Sequence, residues 1–200
     1  MTEQQWDKKL NIHTIGRSDA HADRYHYPYE PTPYSVLERL AERGYINQES
    51  ILMDYGCGKG RVGFFLHHAV GCRAIGLEYN EEIFQQAEQN KTTAAKKQGV
   101  LFFCANAEEF PVEEADCFYF FNPFSVEIFE KVLDRIRESF YENPREMLFF
   151  FYYPSDEYIS CLMTADDLTF FDEINCQDLF EGKNSRERVM IFSMGKEEVW

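Results

Sequence analysis

The chain has 200 residues, 44% of them hydrophobic, which suits a folded domain with a sizeable core and excludes a disordered chain. Lys and Arg number 20 against 35 Asp and Glu, a formal charge of -15, which argues against a broad electrostatic footprint for nucleic acid or an anionic membrane surface. No apolar run approaches the roughly 20 residues of a bilayer span, and MTEQQWDKKL lacks the apolar core of a secretory signal, so the expected location is cytoplasmic.

Residues 1–24 are polar and without sustained periodicity, which predicts a mobile or loosely docked arm; His13 and His21 within it, and His26 just beyond, have no link to chemistry. YHYPYEPTPY (25–34) has too many prolines for helix or central strand. It reads either as a lid bringing Tyr29, Thr32 or Tyr34 to a site, or as an extended segment packing its rings on a sheet. Thr32 is the expected cap of a helix beginning at Pro33 and stopped by Gly44. ILMDY (51–55) is a strand running into Gly56, Gly58 and Gly60; Val62, Phe65, Leu66 and Ala69 then mark a helix face. A strand over 72–78, a helix capped by Asn80 and running to about Gly99, and a strand over 100–106 follow. Strands are expected at 115–124 and 146–154, with a helix marked by Val126, Phe129, Leu133, Ile136 and Phe140 between them. A short helix over 155–164 and strands over 168–174 and 187–194 complete the chain. The alternation predicts an α/β fold, a doubly wound, mostly parallel seven-stranded sheet ending in an antiparallel pair.

The six cysteines (57, 72, 104, 117, 161 and 176) form no CxxC pair and read as reduced thiols. No His, Asp or Glu cluster has metal-ligand spacing. His67 and His68 read as helix packing, and the aromatic runs as buried strands.

The chemistry concentrates in Asp54-Tyr55-Gly56-Cys57-Gly58-Lys59-Gly60, between a strand and a helix. Glycines there allow a sharp turn and close approach to a ligand, and the helix start offers free N–H groups to an anion. Glu78 ends the next strand, 20 residues after Gly58, where a carboxylate can accept both hydroxyls of a ribose. The overlapping Gly58-Lys-Gly60-Arg-Val-Gly63 is a formal GxGxxG and keeps an NAD-type oxidoreductase open. Against it stand Asp54, which disfavours a pyrophosphate but suits a zwitterion, and Asn122-Pro123-Phe124, for which a nicotinamide site has no use.

With these motifs in this order, residues 30–194 resemble the class I S-adenosylmethionine-dependent methyltransferases, whose fold is Rossmann-like. DYGCGKG looks like the family's acid-x-Gly-x-Gly-x-Gly loop, Glu78 the ribose-binding acid and Tyr79 the apolar residue beside the adenine. Ala105-Asn106-Ala107 stands where the family often has Gly-Asp-Ala, with Asn106 replacing the acid. Asn122-Pro123-Phe124 is similar to a shortened Asn-Pro-Pro-Tyr/Phe motif of amino-group methylating members, one proline replacing two. The resemblance implies an arm (1–28) and a methyltransferase domain (29–200), with S-adenosylmethionine as cofactor and no metal. It implies cofactor contacts from Asp54, Tyr55, Gly56, Cys57, Gly58, Gly60, Glu78, Tyr79, Asn106 and Ala107. Asn122, the Pro123 carbonyl and Phe124 would orient an acceptor nitrogen of a protein side chain or small molecule, rather than of nucleic acid. A catalytically silent cofactor-binding or partner-binding domain is the other alternative, and nothing in the sequence sets an oligomeric state.

Overall fold

The computed structural model describes residues 1–17, 29–182 and 184–195. Seven strands form one sheet: β1 (Ile51–Tyr55), β2 (Arg73–Glu78), β3 (Val100–Cys104), β4 (Cys117–Phe120), β5 (Met147–Tyr152), β6 (Thr169–Asn175) and β7 (Arg188–Met194). Their spatial order is β3-β2-β1-β4-β5-β7-β6. β1 through β5 pair in parallel, whereas β7 lies antiparallel between β5 and β6. The expected doubly wound sheet with an antiparallel terminal pair is therefore present, with the last strand inserted rather than added at the edge.

The helices are α1 (Glu3–Leu10), α2 (Tyr34–Glu42), α3 (Arg61–Val70), α4 (Glu81–Thr93), α5 (Val126–Glu142) and α6 (Asp156–Thr164). Strand side chains alternate between two apolar clusters. Leu52, Tyr119, Phe150 and Ile191 pack with side chains of α1 to α4. Met53, Phe118, Phe120, Phe149 and Phe151 pack with α5 and α6. From β1 the chain winds outward through β2 and β3, then returns to β4 on the other side. The crevice beyond the carboxyl ends of β1 and β4 is the reversal point where ligands of open α/β sheets bind.

Four expectations need correction. Residues 1–17 are not a loose arm: α1 docks by burying Trp6 and Leu10, followed by Ile12. Trp6 meets Phe65 edge-on at 4.9 Å, and Thr2 with Gln5 forms a capping box. An eight-residue helix with two apolar anchors is too short to show periodicity; the Thr2-x-x-Gln5 spacing was the available signal. Thr32 does not cap α2, because Pro33 takes that position and the Thr32 hydroxyl meets the Tyr119 hydroxyl at 3.0 Å instead. α4 ends at Thr93, short of Gly99, where the Thr93 hydroxyl donates to the Asn11 carbonyl and the Ala95 N–H to the Leu10 carbonyl. The docked N-terminal segment thus overrides local helix propensity. The strands expected over 100–106 and 115–124 stop at Cys104 and span only Cys117–Phe120. His21 and His26, with the whole YHYP stretch (25–28), lie outside the described residues.

Candidate cofactor and acceptor site

A cavity of about 610 Å³ opens at the reversal point. It is lined by Asp54 to Cys57 from the end of β1, Glu78 and Tyr79 from β2, Ala105 to Ala107 after β3, and Phe121 to Phe124 after β4. Tyr29 to Thr32 close one side.

The glycine loop turns by backbone geometry that side chains rarely adopt: φ is +70° at Gly56, +55° at Gly58 and +87° at Gly60. A Cβ on Gly56 would come within 2.5 Å of the Pro123 Cβ, so this glycine sets how closely the β1 and β4 ends approach. The loop is stitched to β2, with the Cys57 N–H donating to the Leu77 carbonyl at 2.9 Å and the Gly58 N–H to Glu78 Oε2 at 3.0 Å. Glu78 Oε1 accepts from the Asn80 N–H at 2.9 Å, so the carboxylate is fixed at the cavity wall. Asn80 caps α4 as expected, accepting from the Ile83 N–H.

Gly58 and Gly60, expected at the cofactor, do not line the cavity. The Gly58 amide is spent on Glu78 and the Gly60 amide on the Cys57 carbonyl. The Tyr29 ring lies over Gly58, and its hydroxyl donates to the Thr14 carbonyl at 2.6 Å. Of the three tyrosine-segment candidates, Tyr29 and Thr32 reach the cavity. Tyr34 instead lies in the core and donates to Asp7 Oδ1 at 2.6 Å.

Asp54 is buried, and its Oδ2 has no hydrogen-bond partner among the described residues. Burial, with Glu78 nearby, pushes its pKa up to about 8. The neighbouring Tyr55 hydroxyl is also buried without a hydrogen-bond partner among the described residues, and burial raises its pKa as well. Two orphaned polar groups beside one cavity require an explanation, and a bound ligand supplies one. Asn106 forms a local turn, accepting from the Glu108 N–H and donating to the Glu108 carboxylate, both at 3.1 Å. Ala107 is partly buried beside it, and Tyr79 stands exposed at the mouth.

On the β4 side, Asn122 holds a left-handed conformation, φ 41°. Its Nδ2 donates to the Tyr153 carbonyl at 2.8 Å, and its Oδ1 accepts from the Ser155 N–H at 3.2 Å, which leaves that oxygen one more lone pair. Phe124 is buried, tilted 78° to the Tyr55 ring, with its carbonyl accepting from the Tyr158 hydroxyl. It forms an apolar wall, not an open stacking surface.

Sequence reasoning missed Arg61, the first residue of α3. Its buried guanidinium donates to Glu3, to the Thr14 hydroxyl at 2.7 Å and to the Thr32 carbonyl at 3.0 Å, and lies 4.3 Å over the Tyr34 ring. Asp7 Oδ1, which receives the Tyr34 hydroxyl, is 4.0 Å from Arg61 Nη2. These partners are up to 58 residues away, so no local pattern signals them.

Residues 52–142 match a family model described as a methyltransferase domain. A protein-lysine N-methyltransferase of Saccharolobus islandicus (strain REY15A) is 36% identical over 66 residues, covering 32% of this chain and 41% of that protein. The matched stretch is thus less than half the length of that relative. An RNA methyltransferase from Salinibacter ruber, in complex with S-adenosyl-L-homocysteine, superposes with a TM-score of 0.55 at 21% identity, covering 84% of this chain and 95% of that one. Precorrin-6y C5,15-methyltransferase from Geobacter metallireducens GS-15 gives a TM-score of 0.61 at 15% identity, covering 93% and 100%. In fold the chain is similar to these methyltransferases, and residues 52–142, which carry the glycine loop, hold the methyltransferase-domain match. The orphaned Asp54 Oδ2 fits S-adenosylmethionine, because the ammonium group of such a cofactor beside the cavity would complete that carboxylate. No helix among the described residues is long and apolar enough to cross a membrane.

Proposed function

We propose that this protein transfers the methyl group of S-adenosylmethionine to a nitrogen of a protein side chain or small molecule. The carrying observation is one cavity bordered on one side by Asp54, Gly56 and Glu78 and on the other by Asn122, Pro123 and Phe124. When bound, the cofactor supplies an electrophilic methyl on a sulfonium. The chain supplies position and a site shielded from water. Asp54 and the turn at Gly56 would hold the methionine end, and Glu78 the ribose. The free lone pair of Asn122 Oδ1 and the Pro123 carbonyl would accept N–H groups of the acceptor. Phe124 forms part of the apolar wall. Gly63, which completes the formal GxGxxG, sits within α3, where an added Cβ would meet Ala74 and Val100, outside the cavity wall. The charge of -15 suits an amine-bearing protein or metabolite better than a phosphodiester, and six free cysteines suit the reducing cytoplasm.

Calorimetry with S-adenosylhomocysteine, against NAD as control, tests the cofactor. Glu78→Ala is expected to weaken binding at least about tenfold, with the circular dichroism spectrum unchanged. NAD binding, or unchanged affinity in that variant, would remove the assignment.

A further inference from the structure

We propose that a second cavity, abutting the first, is the acceptor subsite and takes an aliphatic ammonium group carried on a flexible methylene chain. This rests on the methyl-transfer reading above. The second cavity, about 590 Å³, has walls from Phe121, Tyr152, Tyr153 and Phe180, with Glu30 and Glu187 among its carboxylates. Glu30, Pro31, Phe121 and Asn122 border both cavities, so a chain reaching from one to the other passes Asn122. That residue holds φ 41° against the usual steric preference, pinned by Tyr153 and Ser155. Strain maintained at the junction of two cavities marks a position whose geometry is used.

The walls suit methylenes and a cation. Phe121 lies 4.7 Å from the Tyr152 ring and 6.5 Å from the Tyr153 ring, centroid to centroid. Ring faces attract ammonium groups and cover alkyl chain. The cations already at this wall are engaged. Arg186 lies 4.4 Å over the Tyr153 ring and donates to the carbonyls of Pro154 and Tyr153 at 3.2 and 3.3 Å. Arg17 is 3.9 Å from Glu30. Glu187 accepts from the Tyr152 hydroxyl at 2.7 Å. Across both cavities Glu30, Glu78, Glu81, Glu82 and Glu187 outnumber Arg17, Arg61 and Arg186, and Arg61 is bonded to Glu3. A mouth of that sign concentrates cations and repels phosphodiesters.

The acceptor ammonium must first release a proton to water at the open mouth. The nitrogen lone pair then forms the N–C bond as the methyl–sulfur bond breaks. The electron pair of that bond stays on sulfur, and the positive charge passes to nitrogen.

The test uses the full chain with methyl-tritiated S-adenosylmethionine, offered in parallel a lysine-rich peptide, a linear alkyl diamine and an adenine-rich oligoribonucleotide. Label on the peptide lysines or on the diamine is expected, and which of the two is labelled distinguishes a protein side chain from a free amine. S-adenosylhomocysteine binding by calorimetry without label on any of the three acceptors overturns this inference alone; label confined to the oligonucleotide overturns it together with the acceptor class proposed above. Absence of cofactor binding overturns the underlying reading with it. Phe180 and Glu187 border only the second cavity. Phe180→Ala and Glu187→Gln are expected to raise KM for the labelled amine about tenfold while cofactor affinity stays unchanged. Unchanged KM in both would overturn the subsite.

Discussion

On the face of the sheet covered by α1, α2 and α3, the buried side chains include Asp7, Thr14, Thr32 and Arg61; on the face covered by α5 and α6, rings fill the interior. There Tyr55, Phe120 and Phe151 occupy matched positions on β1, β4 and β5, their rings stacked at 4.9 and 4.8 Å with interplanar angles of 8°. Phe129 of α5 meets Phe120 and Phe151 edge-on. The aromatic face resists unfolding through buried area, which is non-directional. The polar face depends on direction: Arg61 Nε and Nη1 donate to partners at fixed places, and those partners position Thr14, Tyr29 and thereby the cover over Gly58. Stability and site geometry are therefore separable, one face carrying more of each.

Phe120→Ala tests the ring face with the largest expected effect. Removing a fully buried ring from between two stacked neighbours should cost about 4 kcal/mol in urea unfolding, with cofactor affinity of the remaining folded fraction nearly unchanged. A parallel loss of affinity would break the separation. Arg61→Ala tests the other face. It leaves Asp7 buried without its nearest cation and should cost about 3 kcal/mol. Unlike the ring variant, it should also weaken S-adenosylhomocysteine binding several-fold, because the Thr14–Tyr29 contact loses its anchor. Loss of stability without loss of affinity would show that the polar face merely folds the chain.

Asp54 sharpens the comparison at the site itself. Its pKa stands near 8 in the fold, against the usual value near 4. Between those values the native state holds a proton that the unfolded chain has lost, so this group's contribution to stability falls as pH rises from about 4 to about 8. An ammonium partner favours the ionised carboxylate, so cofactor binding near pH 6.5 should release close to one proton. Calorimetry in two buffers of different ionisation enthalpy measures that release. Asp54→Asn should abolish it and be more stable than the parent at pH 8; proton release that survives the substitution assigns the effect elsewhere.

These differences also explain what could be read from sequence. The order of strands and helices, the glycine turn, the Asn80 cap and Glu78 at a strand end are local patterns, set by residues within a few positions of each other. The mostly parallel, doubly wound character of the sheet followed from alternation plus the rule that parallel strands need crossovers, whereas the insertion of β7 between β5 and β6 did not. Arg61 was not legible, because its charge is answered by Glu3 and Asp7 from a segment whose own helix was too short to announce itself. The spending of the Gly58 amide on Glu78 was hidden for a different reason. A glycine loop shows where backbone N–H groups are exposed in one dimension, not which of them a neighbouring strand captures. The engagement of Asn122 with Tyr153 and Ser155 likewise joins β4 to the loop after β5, a contact fixed only once those strands pair.

The smallest effect discriminates most finely. Asn80 both caps α4 and borders the cofactor cavity. Its Oδ1 accepts from the Ile83 N–H at 3.0 Å, while its own backbone N–H is what Glu78 receives. Asn80→Ala removes the first bond and leaves the second, so Glu78 keeps its orientation. The expected loss is about 1 kcal/mol of stability, the usual cost of a missing N-cap, since Glu81 and Glu82 still answer the helix dipole. Cofactor affinity should change less than about threefold, which is under 1 kcal/mol. If affinity falls further than stability, the Asn80 side chain itself reaches the cofactor. The boundary between folding residues and binding residues then runs through the first turn of α4 rather than at Glu78.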